Sequence, residues 1–439
     1  MIFTILKNRK IKYLFITIIW LAIWEIVSLF VHNNILIVGP FDVVITLIHK
    51  CGQIDFYKSI GMSMLRIIGG FITGLVLGVV LGILSWKIKF VEDFLNPVMS
   101  FIKAAPVASF VVLFLIWWHS NILAFAICVC VSLPQIYISV LQGFKATDKK
   151  IIEVGKVFNF STVDKINYIY RPYMASYLEG ALKIAVGLSF KAGVAAEVIG
   201  TPENSIGNEL YFSKIYLDTA GVLAWTAVII VLSVICEKIF LRVVNLYFTY
   251  EFNCRGANRE NYEFSNIKIE NVSKMYDGKV VLNNYSKDYN IGQIYKYDWP
   301  SGEGKTTLLK IIAQIEEADS GNINPKDYSV SMVFQEDRLI EDFSAITNVN
   351  IVCGNKIEAK QKLLELLSDE DLYKPVRQLS GGQRRRVAIA RALVAHSNVI
   401  LFDEPYEGLD EDVRRKVSEA IIGNSKDKVT IIASHINEL

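Results

Sequence analysis

Residues 379–393 read LSGGQRRRVAIARAL, and this stretch decides how the rest of the chain is to be read. Ser380, Gly381 and Gly382 open an amphipathic helix. Just beyond it stands NVILFDEP (398–405), an apolar strand that ends in Asp403-Glu404. A buried strand of that kind delivers one carboxylate to a divalent cation and the next to an attacking water. Upstream, GQIYKYDWPSGEGKTTLLKII (292–312) has a strand, a glycine-rich turn and a helix that starts on Gly304-Lys305-Thr306, the order a phosphate-binding loop requires.

Between these motifs short β-like runs such as SVSMVF (329–334) alternate with helical ones, the pattern of a parallel sheet with crossover helices. Backbone N–H groups from Gly302 to Thr306 are expected to cradle β- and γ-phosphates at a helix amino terminus, with Lys305 neutralising them and the Thr306 hydroxyl on Mg²⁺. Glu404 is the expected general base and Asp403 the second protein oxygen on the metal.

Together these segments resemble the ATP-binding cassette family, whose signature sequence is LSGGQ. The resemblance extends residue by residue. Gln335 in MVFQEDRLI matches the Q-loop, which implies a part in catalysis and at the metal. Asp410 in EGLD matches the D-loop and His435 in IIASH the switch histidine. Ser301 and Thr307 complete the phosphate loop, Ser380, Gly381, Gly382 and Gln383 form the signature, and Tyr276 in VSKMYDG occupies the place of an aromatic that stacks on adenine. The cofactors implied are ATP and Mg²⁺. In this family two nucleotide domains close head to tail around ATP, which implies a second copy or a related half as partner.

Two features depart from the family. The pattern GxxxxGK[ST] begins with glycine, but Trp299 stands there, preceded by Lys296 and Asp298 on an expected strand. Glycine there keeps side chains away from the phosphates, so Trp299→Gly is expected to keep or raise ATP affinity. The chain also stops at Leu439, soon after His435, where relatives continue with further helix. Either a shortened chain or a naturally short domain accounts for that.

The composition is 52% hydrophobic with a formal net charge of +2, and the apolar residues crowd before about Phe248. Lys and Arg (46) nearly balance Asp and Glu (44) and form no run interleaved with aromatics, which excludes a nucleic-acid binder. Six membrane spans are expected, at Tyr13–Val31, Met62–Ser85, Pro97–Trp118, Ile122–Leu141, Tyr173–Gly200 and Gly221–Leu246, each near the ~20 residues that cross a bilayer core. The first is too long for a cleaved signal peptide and lacks a small-x-small site. Cys51, Cys128, Cys130, Cys236, Cys254 and Cys353 fall in or on different sides of these spans, so they form no disulfide framework.

The expected fold is thus a polytopic α-helical membrane domain (1–250), a linker (251–263) and an α/β P-loop nucleotide-binding domain (264–439). Basic residues before the first span, at Lys87 and Lys89, and from Lys145 to Arg171 place both termini in the cytoplasm of a multi-pass protein of the cell membrane.

The segment IIEVGKVFNFSTVDKINYIYRP (151–172) resembles the EAA loop of import-type permeases, which docks on the ATPase as a coupling helix. Glu153 matches its leading acid, Val154-Gly155 replace Ala-Ala, Asn159 replaces a glycine and Pro172 closes it. Asn tolerates a left-handed turn, which makes that replacement mild. FIKAAPVASFVVLFLIWW (101–118) and AAEVIG (195–200) resemble permeases of the nitrate, sulfonate and taurine group, which includes importers of thiamine precursors. That resemblance implies ATP-driven import of a small solute delivered by an extracytoplasmic binding protein. Exporter half-transporters share the order of parts but carry longer cytoplasmic helices than Trp86–Asn96 and Lys145–Arg171 allow, and a hydrolysis-deficient membrane protein with a binding role is the other alternative. Lys191 falls inside the fifth expected span, where an ammonium is costly. It is read either as one member of a Lys–Glu pair, with Glu25 as a candidate partner, or as a snorkelling side chain, or as a pore contact for an anionic cargo.

Overall fold

The computed structural model describes residues 9–31, 33, 35–249, 256, 266–300 and 302–435. It divides into two compact units, Met1–Lys145 with Met174–Thr249, and Ala146–Tyr173 with Tyr250–Leu439. Apart from Gly256, the expected linker lies outside the described residues.

The first unit is helical: α1 (Arg9–Val31), α2 (Pro40–Cys51), α3 (Ile54–Lys87), α4 (Lys89–Ala104), α5 (Val107–Trp117) and α6 (Ser120–Lys145) precede the excursion into the second unit. That excursion carries α7 (Lys149–Val157), after which come α8 (Arg171–Gly200), α9 (Ile206–Ile215) and α10 (Thr219–Thr249). Among the described residues four helices, α1, α3, α6 and α10, are long and apolar enough to cross a membrane, and a fifth span results if α4 and α5 count as one.

That corrects the expectation of six. The expected third span, Pro97–Trp118, breaks at Ala105, where α4 and α5 meet at a bend of 102°. Pro106 is the cause: its ring pushes the preceding residue out of the helical region, and Ala105 is extended at φ −70°, ψ 139°. The expected fifth span lies within the 30-residue α8, but Glu179, Lys183, Lys191 and Glu197 keep it out of the apolar set.

The packing of α3 on α6 follows from glycines four apart. Gly70, Gly74, Gly78 and Gly82 fall on one side of α3, and any Cβ there would collide with α6: with Phe125 O at Gly70, Ser132 Oγ at Gly74, Ile136 at Gly78 and Val140 at Gly82. Small residues at this spacing let two backbones approach closely where lipid supplies no hydrophobic drive between helices. Near one end of this pair a charge is buried. Glu197, fully buried on α8, accepts from Ser63 Oγ (2.6 Å) and Gly207 N (3.3 Å) and pairs with Arg66 (3.4 Å). Lys191 is exposed, and among the described residues no ion pair joins it to Glu25, so that pairing is set aside.

In the second unit, β1 (Ile267–Tyr276) and β2 (Lys279–Tyr289) form a hairpin through Asp277-Gly278, both at positive φ as a tight mirror-image turn needs. β4 (Ser320–Asn324) adds to β1 antiparallel. A second sheet is parallel, in the order β3-β7-β6-β5, with β3 (Ile294–Tyr297), β5 (Val330–Val333), β6 (Val399–Asp403) and β7 (Val429–Ala433). Every residue of β6 is buried, so its apolar run reads as a central strand, and helices α11 (Lys305–Ile312), α12 (Ala345–Cys353), α13 (Lys356–Leu364), α14 (Gly381–Val394) and α15 (Glu411–Gly423) lie between the strands in sequence.

The α3–α6 contact can be tested by adding volume. In Gly78→Leu the new Cβ would lie 2.8 Å from that of Ile136, whereas Gly61→Leu on the same helix meets nothing within 4 Å. Overpacking of this kind costs about 1–3 kcal/mol. The detergent-solubilised Gly78 variant is therefore expected to melt several degrees below the Gly61 variant, and equal melting points would refute the packing.

Candidate nucleotide site and the segment packed beside it

Strand ends and helix starts bring the expected residues together. Gly304 caps α11 at φ 89°, and a Cβ there would sit 2.9 Å from Val281, so both the turn and the close approach call for glycine. Gly302 also has positive φ and open space around it. From this start Lys305, Thr306 and Thr307 face a cleft of about 750 Å³ that Tyr276, Gln335, Asp403, Glu404 and His435 also line. Ser301 lies outside the described residues.

Within the cleft the Thr306 hydroxyl donates to Asp403 Oδ2 at 2.9 Å. Burial pushes the Asp403 carboxyl up, against the Thr306 hydrogen bond, and the neighbouring Glu404 pushes it further. A hydroxyl beside a desolvated carboxylate is the hard-oxygen donor set that Mg²⁺ prefers. The Lys305 ammonium, which can only donate, reaches His435 Nε2 at 2.7 Å and lies 3.6 Å from Glu404. Glu404 accepts from the His435 backbone N–H at 3.3 Å and holds φ at 49°, a strained value for a side chain with a Cβ. Lysine, glutamate and histidine thus converge from three different segments of the chain.

Of the remaining expected residues, Tyr276 is in the cleft and the signature residues and Asp410 are not. Tyr276 lines the cleft and its hydroxyl donates to Glu316. Ser380 caps α14, accepting from Gln383 N while Gln383 Oε1 accepts from Ser380 N at 2.8 Å, a capping box. Neither Ser380, Gly381, Gly382 nor Gln383 lines the cleft, and a Cβ on Gly381 would meet nothing within 4 Å, so nothing in this chain's own fold demands glycine there. Asp410 caps α15 through Val413 N at 2.9 Å and does not reach the cleft; Glu407 and Gly408 do.

Two arginines after the signature are buried and were not singled out from the sequence. Arg385 Nη1 donates to Phe334 O (2.6 Å) and Gln335 O (3.2 Å), and Nη2 donates to Asp403 O (2.7 Å) and to Glu404 O. One guanidinium therefore binds the backbone on both sides of the cleft. Arg391 donates to Arg338 O at 2.9 Å, and burial pushes its pKa down to about 10. The signal was available: 385, 388, 389 and 392 share the spacing of one helical face, and an arginine on the face of Ala388, Ile389 and Ala392 must find buried acceptors.

The segment Ala146–Tyr173 belongs to this unit. Asp148 caps α7 through Lys150 N at 2.8 Å, and Ile151, Val154, Val157, Phe158 and Phe160 share a core with Leu309, Ile312 and Met332. Glu153 pairs with Arg338 at 2.5 Å and Lys150 with Glu336 at 2.6 Å, immediately after Gln335. A Cβ on Gly155 would strike Ile169, and Asn159 adopts φ 46°, the left-handed turn its residue type suggested. Arg391 stacks over the Phe158 ring at 5.3 Å.

Two protein families and several known proteins are similar to parts of this chain. Residues 282–407 match the ABC transporter family and residues 74–245 match the binding-protein-dependent transport system inner membrane component. The lipoprotein-releasing system ATP-binding protein of Bacteroides thetaiotaomicron is 36% identical over 169 residues, 33% of this chain and 77% of that protein. The Fe(3+) ions import ATP-binding protein of Fusobacterium nucleatum is 35% identical over 193 residues, covering 39% of this chain and 52% of its own length. The sulfate/thiosulfate import ATP-binding protein of Pseudomonas putida is 37% identical over 173 residues, 34% and 53% respectively. A solved dimeric ATP-binding cassette in a post-hydrolysis state, bound to ADP and Pi, is 28% identical over 39% of this chain and 88% of that one, with a TM-score of 0.35.

The chain belongs to the ABC transporter family. More particularly, it joins a binding-protein-dependent permease domain and an ABC nucleotide-binding domain in one multi-pass membrane polypeptide. It spans about half the length of the first curated relatives it matches.

If Arg385 holds both walls of the cleft, Arg385→Met leaves several buried carbonyls without donors, at a cost of about 3 kcal/mol. Thermal unfolding is expected to show a large loss for this variant and none for the exposed Arg415→Met. Equal midpoints would remove the clamp.

Proposed function

We propose that this chain is one half of an ATP-driven importer, in which two copies, or one copy and a related half, close on ATP and drive a small solute inward across the cytoplasmic membrane. The observation that carries the reading is the packing of Ala146–Tyr173, which lies inside the permease match, into the core of the nucleotide unit. Glu153, Gly155 and Asn159 are then the coupling residues, and the Glu153–Arg338 pair beside Gln335 links the state of the nucleotide to the permease.

In this mechanism Lys305 and the N–H groups opening α11 hold the phosphates, and Glu404 takes the proton of the attacking water while His435 orients the γ-phosphate side. Thr306, Asp403 and Gln335 would hold Mg²⁺, which supplies charge neutralisation between the phosphates. Ser380 to Gln383 and Asp410 would meet ATP held by the second copy, in keeping with a glycine at 381 that its own chain does not require. The relatives named for ferric iron and sulfate import are ATP-binding proteins, so the cargo reading rests on the permease segments and on Lys191. It is a nitrate-, sulfonate- or taurine-like anion, or a thiamine precursor, handed over by an extracytoplasmic binding protein with both termini of this chain inside.

Reconstitution in proteoliposomes tests the reading. Glu404→Gln is expected to bind ATP and form a trapped dimer while hydrolysis falls about 10²- to 10⁴-fold. Unchanged hydrolysis would take the base role from Glu404. Glu153→Arg is expected to lose uptake yet keep basal hydrolysis, and Arg338→Glu in the same chain to restore part of it by re-forming the pair in reverse. Normal uptake by the single variant would end the coupling assignment.

A further inference from the structure

The nucleotide site keeps a tryptophan where its loop pattern calls for glycine, and the indole is not in the cleft. Trp299 packs edge-on against Tyr297, with ring centres 4.9 Å apart at 69°, and against Tyr285 at 5.7 Å and 71°. Tyr297 is itself fixed: its hydroxyl bonds those of Tyr285 and Tyr289, the latter at 2.6 Å, and the Lys287 ammonium lies 4.7 Å above its ring. Tyr285, Lys287 and Tyr289 all come from β2. The other end of the phosphate loop also rests on β2, because Gly304 closes against Val281. One strand therefore touches the loop at both ends, through an indole at its start and through the missing side chain of a glycine at its finish.

We propose that Trp299 is a positioning residue for nucleotide binding, an aromatic anchor that holds the start of the phosphate loop on β2 in place of the freedom a first glycine would give. The inference rests on the nucleotide-site reading above, and it reverses the expectation that glycine at 299 would help. Replacing the ring lets the loop start drift from Tyr285 and Tyr297, so the N–H groups that must converge on phosphate lose their alignment before ATP arrives. The effect falls on nucleotide affinity more than on the chemical step, because Lys305 and Glu404 are set by α11 and β6.

The test uses the purified full chain in detergent, with binding of trinitrophenyl-ATP titrated and ATP hydrolysis resolved into KM and kcat. Trp299→Leu and Trp299→Gly are expected to raise Kd and KM about tenfold with kcat within about threefold, and Trp299→Phe, which keeps a ring, to restore most of the affinity. Tyr285→Leu should reproduce part of the loss. If the glycine variant fails to fold, the leucine variant, which retains apolar volume, still reads the anchor. Undiminished affinity in Trp299→Leu, or no rescue by phenylalanine, would overturn the anchor alone. Wild-type protein whose nucleotide binding is insensitive to Lys305→Ala would overturn the nucleotide-site reading and this inference with it.

Discussion

Loops that line a cleft have backbone carbonyls with no strand or helix to satisfy them, and when such loops are buried something must donate to those oxygens. Here that donor is the guanidinium of Arg385. Its five N–H groups lie in one plane, which lets one side chain serve Phe334 and Gln335 in the loop after β5 and Asp403 and Glu404 where β6 runs into its loop. A lysine in that place would reach one of the two loops. The left-handed backbone of Glu404 is held beside this contact, and its carboxylate is kept near Lys305 and His435. Arg391, six residues further along the same helix, repeats the device at Arg338 and adds the ring of Phe158. The helix that begins with the signature thus ties together the loop after β5, the end of β6 and the segment between α6 and α8.

The membrane unit depends on the opposite kind of residue. Along α3 it is the absence of side chains, at four glycines one turn apart, that lets α6 lie close enough for Cys128 and Ser132 to meet its backbone. A charged cluster nearby, Glu197 with Arg66 and Ser63, obeys the rule that a buried carboxylate needs both a counter-ion and hydrogen-bond donors.

Much of this was legible in the chain. Gly304, Lys305, Thr306, Asp403, Glu404 and His435 are motif residues whose spacing is set by local geometry, a strand end or a first helical turn, and the structure brings them to one cleft. The long apolar helices could be read for the same reason. Other features depend on partners far away in sequence. Pro97–Trp118 is apolar but for Lys103 and a few small polar residues, and Pro106 acts through the conformation of Ala105, which an average over side chains does not register. Glu197 and Arg66 are 131 residues apart, and no local pattern pairs them. Trp299 looked like a defect because its pattern is defined by what the phosphates need, while its placement is decided by Tyr285 and Tyr297 behind the loop. Asp410, matched to a motif by sequence, caps α15 with its carboxylate.

The nucleotide unit is discontinuous along the chain, and that has a consequence for synthesis. Ile151, Val154, Phe158 and Phe160 are made well before Leu309, Ile312 and Met332, with α8, α9 and α10 between them, yet all occupy one core. Contacts so distant in sequence close a long loop late, and until they form the early apolar residues stay exposed to whatever else is nearby. A gene fragment beginning after the linker would encode the phosphate loop, the signature and the parallel sheet, but it would leave a patch of this core open to water. A piece able to bury that interior has to begin at or before Ala146.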